Sequence, residues 1–548
     1  LGSALPYATA TWETVRRDLD AFTAAWHGAS RSLCEARREK SSAEGNLALR
    51  EVCLDQQRQQ LEALLLQLRV ADRVTVERAV AAVQGLPSVA VCNEVSTLAL
   101  ERPPPSEPAL LASVTALSAA TARARAAVRA GRFTAARTEL DAILPEAKRT
   151  AYDPLLADVY SVLAELYAEQ YLYGESLEAA VASVEHAEAA GSGRIKHMGL
   201  MRAGVGLMET SQLEAAELWF RLAQGALRYL PPDPRAESMT LQQLAWLRHR
   251  QGRADEAVRT MKRAVEIEQA RDPRSTTMAR NYDGLATFLT YAGHPEQAVE
   301  YFAQEEAIIA ELFGIEHPRM IPLLVNRSAA LRELGRSEEG IAAAEDAARR
   351  ARGLNSGLEA SALNNLAVIY LNRGDHARAR AALREALPAC ARSFGENHVF
   401  TGELHTNLGE VELQLGNHAA ALREVEAGQA SLARSVPGDH YLLGINALVT
   451  GKVHAAMKGC DVAMPHLRRA LSIFRAHPEA LPANRAATLV ALARCLATER
   501  GRAEAAEARE LAGAAVDLYR ELKLEGEAEE AAALLGSLER PAKRLRGP

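Results

Sequence analysis

Aromatic residues supply only 5% of this 548-residue chain although 48% of it is hydrophobic, and much of that apolar content is alanine. Small side chains at tight helix–helix contacts explain this balance. Charge of one sign is lacking too. Lys and Arg number 64 against 70 Asp and Glu, a net charge of −6, so no basic footprint points to nucleic acid. Apolar runs such as PALLASVTALSAATA from Pro108 stop short of the roughly 20 residues that a membrane-spanning helix needs. The chain starts at Leu1 without a charged-then-apolar leader, which reads as a soluble fragment or a processed product.

Catalytic signatures are also missing. A kinase needs a glycine-rich loop, a strand lysine, an HRD-type loop and a metal-binding DFG aspartate, and none occurs here. GINALVTGKV (Gly444–Val453) has the wrong glycine spacing for a phosphate loop, lacks Ser or Thr after Lys452 and falls inside an expected helix. HExxH and GxSxG are absent, so no enzyme, cofactor or metal site is expected in this chain. His317, His398 and His440 precede expected helices one repeat or more apart, which fits capping or packing rather than a shared metal; His294, His376 and His418 read as solvated loop residues. The six cysteines show no CxxC pair. Cys390, Cys460 and Cys495 fall within expected helices and read as small buried hydrophobes. Cys34, Cys53 and Cys92 cluster near the start; their redox state stays open, a disulfide between two of them being one alternative.

What is present is a repeated hairpin. In NNLAVIYLNRGDHARARAAL (Asn364–Leu383), Leu363, Leu366, Ala367 and Tyr370 mark one buried helical face, and Ala379, Leu383 and Ala386 mark another. Gly374 breaks the first helix and Asp375 can cap the second. Comparable turns fall at Gly131, Gly174, Ser211, Gly252, Gly293, Gly335, Gly416, Lys458 and Gly501. Five residues after each turn stand Ala136, Ala179, Ala216, Ala257, Ala298, Gly340, Ala379, Ala421, Ala463 and Ala506, as close helix approach demands. One hairpin cannot bury its own apolar face, so stacking of copies is expected.

These landmarks resemble the tetratricopeptide repeat. Leu366-Ala367, Tyr370, Gly374, Ala379, Leu383 and Ala386 match its positions; the series through Leu244-Ala245, Gly252, Ala257, Met261 and Ala264, and that through Leu285-Ala286, Leu289, Gly293, Ala298 and Phe302, match nearly as well. The period near 42, with FGIEHPRM, FGENHVFT and PGDHYLLG between copies, is similar to the long-helix repeats of kinesin light chains and bacterial signalling proteins. The fold expected is an all-α, right-handed α-solenoid of about ten hairpins preceded by a small helical domain. Residues 1–100 form that domain, 101–112 a Pro-rich linker around ERPPPSEP, 113–535 the solenoid and 536–548 a basic disordered tail.

In the first region Thr11–Trp26, Glu44–Arg69 and Asp72–Val83 read as amphipathic helices, with Asp72 capping the third and GLPS ending it. Trp12, Phe22 and Trp26 either fill this domain's own core or form a homo-oligomer contact, so oligomeric state stays open. YATATWETVRRDLDAFTAAW (Tyr7–Trp26), LALREVCLDQQRQQLEALLLQL (Leu47–Leu68), ERAVAAVQGLP (Glu77–Pro87) and Cys92 resemble the helical segment that precedes the repeats in bacterial eukaryotic-like serine/threonine protein kinases. The resemblance implies the regulatory C-terminal part of such a kinase, the kinase domain lying outside this chain.

Nine residues before the turn stand Gln243, Gly284, Asn326, Asn365 and Asn407. In the resembled family first helices line a concave surface, and a carboxamide there clamps an extended peptide, because it donates and accepts without charge. Asn326, Asn365, Asn407 and Gln243 are the expected clamps, with Gln242 and Asn364 selecting side chains; the other reading has each asparagine bonding the adjacent repeat and fixing solenoid twist. A peptide or protein partner in the concave groove is expected, with a ligand-sensing solenoid as the alternative. The expected compartment is the cytoplasm, or the extracytoplasmic face of a membrane-anchored kinase.

Overall fold

The structure, a computed structural model, describes residues 5–39, 43–354, 357–476, 482–498, 502–522 and 524–539. Among the described residues every regular element is helical. The first are α1 (Ala8–Glu39), α2 (Glu44–Arg69) and α3 (Arg73–Gln84), then a 3-10 turn (Val89–Asn93) and the short α4 (Val95–Leu98). Asp72 caps α3 as expected, its side chain accepting from Thr75 N at 2.8 Å. Trp26 donates its indole N–H to Leu54 O at 2.8 Å and, with Phe22, packs against Leu33, Leu47 and Leu54. Those two aromatics therefore fill the domain's own core, while Trp12 is 46% exposed.

The hairpins follow. They pair α5 (Pro108–Arg129) with α6 (Phe133–Thr150), α7 (Asp153–Glu169) with α8 (Tyr173–Ala190), α9 (Gly193–Glu209) with α10 (Leu213–Leu227), α11 (Pro234–Arg250) with α12 (Ala254–Arg271), and α13 (Thr276–Tyr291) with α14 (Pro295–Phe313). After them come α15 (Met320–Glu333) with α16 (Ser337–Ala351), α17 (Leu358–Asn372) with α18 (His376–Phe394), α19 (Val399–Gln414) with α20 (His418–Ser435), α21 (Tyr441–Lys458) with α22 (Cys460–Ala476), α23 (Pro482–Leu496) with α24 (Arg502–Glu521), and finally α25 (Glu525–Glu539). The arrangement is an α-solenoid of helical hairpins. Two compact units divide it, Leu1–Leu323 and Leu324–Pro548.

Three boundaries differ from the sequence reading. The first hairpin begins at Pro108, inside the expected linker, because proline suits the opening turn of a helix where its missing N–H is no loss. The last described helix runs to Glu539, past the expected start of the tail, and residues 540–548 lie outside the described residues. The second turn is not at Gly174, which is inside α8; the left-handed residue is Tyr171, with φ 60°, and this places it 40 residues from both Gly131 and Ser211.

Left-handed φ at Gly252, Gly293, Gly335, Gly374 and Gly416 confirms the other central turns, and Gly459 replaces Lys458 in the ninth. Gly501 is outside the described residues. Asp375 caps α18 by accepting from Arg378 N at 3.2 Å. The small-residue column is equally regular: Ala136, Ala216, Ala257, Ala298, Ala379, Ala421 and Ala463 are all fully buried. With the turn at Tyr171 the second copy's small residue is Ser176, whose hydroxyl donates to Ala164 O at 2.9 Å. In the tenth, Ala506 is exposed and Ala508 is the buried one.

Cysteine pairing corrects another expectation. Cys53 and Cys92 are disulfide-bonded, with Cα atoms 5.5 Å apart, and so are Cys460 and Cys495, at 5.1 Å. The second pair forms because α23 returns alongside α22, bringing a cysteine at the start of one helix to a cysteine near the end of the next. Cys390 is buried and free, Cys34 exposed and free. Alkylation of denatured, unreduced protein is therefore expected to modify Cys34 and Cys390 alone, and prior reduction to expose the other four thiols; mass spectrometry reads the difference.

Candidate partner-binding surface

Helix contacts define which side of each unit faces inward. Successive first helices touch: α5 with α7, α7 with α9 and α11 with α13 in the first unit, α17 with α19 and α19 with α21 in the second. Successive second helices make no comparable contact among the described residues. The stack is therefore tighter along its first helices, which form the inner face.

The expected clamp residues lie on these helices. Asn326, Asn365, Asn407 and Gln243 are half-buried. Asn365 Nδ2 donates to Val325 O at 2.9 Å and Ser328 Oγ at 3.0 Å, on the preceding hairpin. Asn407 Nδ2 donates to Asn364 Oδ1 at 2.9 Å, again one hairpin back. Arg202 holds the same place, nine residues before its turn, and donates to Ser161 O at 3.1 Å and Ser161 Oγ at 2.9 Å. In all three, the residue nine before a turn reaches the residue ten before the previous turn.

Gln242 and Asn364, the expected selectors of side chains, occupy that receiving position. Both are buried, 4% and 8% exposed, and each carboxamide bonds a neighbouring hairpin through one of its two polar atoms, Gln242 through Nε2 and Asn364 through Oδ1. Gln242 Nε2 donates to Asn281 Oδ1 at 3.1 Å, and Asn281 Nδ2 in turn donates to Ser238 Oγ at 2.9 Å and Ala264 O at 3.2 Å. Asn446 repeats this on Thr406 Oγ1 at 2.9 Å and Val425 O at 3.0 Å. Buried amides left unpaired are costly, and each of these contacts satisfies one while joining two hairpins. Asn281 and Asn446 were not singled out from sequence because they stand off the nine-before column; Asn446 is an isolated carboxamide in the apolar first half of its helix, whereas Asn281 is flanked by Arg280 and Asp283 and carries no such signal.

The inner face of the first unit is ionic. Glu165 on α7 meets Arg202 at 2.8 Å, Arg129 at 3.5 Å and Arg125 at 3.9 Å, and Arg125 also pairs with Asp158. Burial alone would raise the Glu165 carboxyl, but Arg202, Arg129 and Arg125 together hold it down at about 2. Desolvation dominates at Arg129 and Arg202, whose guanidinium groups lie below their ordinary value because one carboxylate is shared among three; Arg125, with Asp158 added, is held above it.

Helix α3 lies along this same face. Thr75 Oγ1 donates to Ala130 O at 3.4 Å, Arg78 pairs with Glu169 at 2.8 Å, and Arg129 Nη1 donates to Gly85 O at 2.9 Å. At its far end Arg235 donates to Gln84 O, and Gln84 Oε1 accepts from Thr276 N at 3.0 Å. Helix α1 reaches the end of the fifth hairpin, where Thr11 Oγ1 donates to Phe313 O at 3.4 Å and the Tyr7 ring sits 4.8 Å from that of His317.

The histidines before first helices do local work. Nδ1 of His398 accepts from Phe400 N at 3.2 Å, that of His440 from Leu442 N at 3.3 Å and that of His317 from Arg319 N at 3.2 Å. GINALVTGKV is helical within α21, and Gly451 there packs so closely on Leu467 that a Cβ would stand 2.5 Å from its Cδ2.

Stacked hairpins with left-handed turns, a methyl-sized contact column and inter-hairpin amide bonds define a tetratricopeptide-repeat region. Tetratricopeptide repeat models match residues 358–428 and 240–271. Among solved structures, the chain is similar to a signal transduction ATPase with numerous domains and a tetratricopeptide repeat sensor from Pyrococcus horikoshii: 12% identity, TM-score 0.48, 72% of this chain and 57% of that one. It is similar to a Rap protein complexed with competence and sporulation factor at 13% identity and TM-score 0.42, covering 78% of this chain and 98% of that one. A tetratricopeptide repeat protein from Parabacteroides merdae aligns at 16% identity and TM-score 0.38, over 54% of this chain and 98% of that one. No curated protein matches the sequence. No helix among the described residues is long and apolar enough to cross a membrane.

Proposed function

We propose that this chain is a protein-interaction scaffold that holds an extended peptide, or a protein segment in extended form, against the inner face of its first helices. One observation carries this reading into detail. Nδ2 of Asn365 and of Asn407 is engaged by the preceding hairpin, while Oδ1 of each has no protein partner among the described residues. Each carboxamide is thus held in one orientation with an acceptor left over, which suits it to take a main-chain N–H from a bound strand without regard to sequence. Asn326 extends the same column within the second unit, and Gln243 holds the corresponding position in the first.

The parent protein we read as a serine/threonine kinase, on the resemblance of Tyr7–Cys92 to the segment that precedes the repeats in that family; a kinase-coding stretch directly upstream in the gene supports this, and another domain there removes it. The two disulfides favour an oxidising compartment, hence the extracytoplasmic side of such a protein over the cytoplasm.

Asn365→Ala and Asn407→Ala combined are expected to abolish capture of the partner retained by the parent chain in a pull-down, with an unchanged circular dichroism spectrum and a stability loss of about 1 kcal/mol per lost hydrogen bond. Undiminished capture by the doubly substituted chain removes the column from the binding surface.

A further inference from the structure

We propose that the cleft between α18 and α20, in the second unit, binds a small zwitterion: a free α-amino acid with an aliphatic side chain. The cleft lies apart from the inner face, so this inference goes beyond the scaffold reading and does not rest on it.

The cleft follows from how three helices pack. Helices α18 and α20 both rest on α19 and make no comparable contact with each other. Two glycines let α20 settle closely onto α19: a Cβ on Gly428 would stand 3.0 Å from Gly402 O, and one on Gly402 would stand 3.1 Å from Gly428 O. The gap that remains beside α18 has a volume of about 510 Å³, within the roughly 300–1,000 Å³ range of small-molecule sites. Leu387, Pro388 and Ala391 of α18 form one wall, and Ala427 and Ala430 of α20 form the other. Both walls are apolar. The floor is α19, through Thr401 and His405. His405 stands two residues, or about 200° of helix, from Asn407, so the cleft opens on the side of α19 away from the inner-face column.

Glu396 and Asn397, in the loop 395–398, complete the lining together with Ser431 and Arg434. This loop is tied down along its whole length. Thr401 Oγ1 donates to Gly395 O at 3.1 Å, Ser431 Oγ to Glu396 O at 3.3 Å and His398 O at 3.0 Å, and Ser435 Oγ to Asn397 O at 2.6 Å. Arg434 Nη1 donates to Asn397 Oδ1 at 2.7 Å, which orients the guanidinium. A site fixed in this way loses little freedom when a ligand enters.

The charges in the cleft are opposite and uncommitted. Glu396 and Arg434 line the same space, yet among the described residues neither is within ion-pair distance of the other or of any other charged group. His405 Nδ1 meets Glu424 Oε2 at 2.7 Å. A carboxylate can only accept, so Nδ1 carries the proton and Nε2 is left without a protein partner among the described residues.

A ligand with negative charge alone would face Glu396, and one with positive charge alone would face Arg434. A zwitterion satisfies both. Its carboxylate takes the Arg434 fork, and its ammonium donates to the Glu396 carboxylate and to His405 Nε2. The aliphatic side chain then replaces water between Leu387, Ala391 and Ala427.

The test is isothermal titration calorimetry of the full chain at pH 7 with four probes: L-leucine, L-leucinamide, 4-methylpentanoate and glycine. L-Leucine is expected to bind once per chain and to raise the melting temperature. The other three, which lack the carboxylate, the ammonium and the side chain in turn, are expected to bind at least tenfold more weakly. Glu396→Gln and Arg434→Gln are each expected to weaken L-leucine at least tenfold, and Arg434→Lys by less. Both residues are exposed and outside any ion pair, so these variants keep the melting temperature of the unliganded parent. Arg263→Gln, on α12 in the first unit and paired there with Glu266, leaves L-leucine binding unchanged. Tight binding of 4-methylpentanoate that ignores Glu396→Gln overturns the zwitterion. L-Leucine binding unaltered by both the Glu396 and Arg434 substitutions overturns the cleft as its site. No saturable heat and no rise in melting temperature with any probe overturns the proposal outright. None of these results touches the Asn365 and Asn407 column, which the pull-down reads separately.

Discussion

Glu165→Gln is expected to destabilise the first unit by about 3 kcal/mol at pH 7 and to leave almost no difference from the parent chain near pH 2. The side chain is isosteric, so packing is preserved and only the charge is lost. What remains is Arg125, Arg129 and Arg202 on one inner face with no carboxylate but Asp158. The pH dependence follows from the direction of the shift. Burial opposes ionisation of Glu165, yet the three guanidinium groups hold it at about 2 against an ordinary 4.5, so its contribution is complete above pH 4.5 and fades as pH falls towards 2. Urea titrations of both chains at pH 7, 4 and 2.5 measure this. A deficit of the same size at every pH would place the effect in packing and not in charge.

Phe220→Ala is expected to cost about 3–5 kcal/mol, the largest effect of any single truncation considered for this core. Phe220 on α10 is fully buried among Leu207, Met208, Ala216, Leu244 and Leu247. Its ring lies against Gly204 of α9 so tightly that a Cβ at that glycine would stand 2.6 Å from the ring's Cε1. Truncation therefore opens a cavity that the two helix backbones, already close, cannot collapse to fill. Gly204→Ala is destabilising for the converse reason, overcrowding of the ring. Combining Gly204→Ala with Phe220→Leu is expected to recover part of the loss, because the two sites share one space. Urea midpoints of the single and double variants read the coupling, and strict additivity would contradict the close approach.

The hairpin and its stacking were legible because their causes are local and recur. Glycine at a left-handed turn, a methyl-sized residue five later and an apolar stripe need no knowledge of the rest of the chain, and a period near 42 supplies the tertiary step. Asp72 and Asp375 were legible as caps for the same reason. Tyr171 was missed because a non-glycine residue rarely takes positive φ, and Gly174 stood near enough to draw the turn onto itself. The pairing of Cys460 with Cys495 depends on how one hairpin returns beside the next.

Of the candidate surface, the nine-before column was visible, but the fate of each carboxamide was not, since Gln242 and Gln243 differ only in which way a helix is turned. The arginines of the first unit share no repeat position. They gather because α3 bonds to the first, second, fourth and fifth hairpins, which no periodicity announces.

That bonding has a mechanical consequence. Solenoids whose repeats touch only their neighbours stretch and unwind like springs, one coil at a time. Here α3 is fastened at the turn of the first hairpin through Thr75 and at the start of the fifth hairpin's first helix through Gln84, so it works as a tie rod across several coils. The first unit thereby exchanges extensibility for a fixed pitch, and whatever it grips, it grips with a frame that does not lengthen under load.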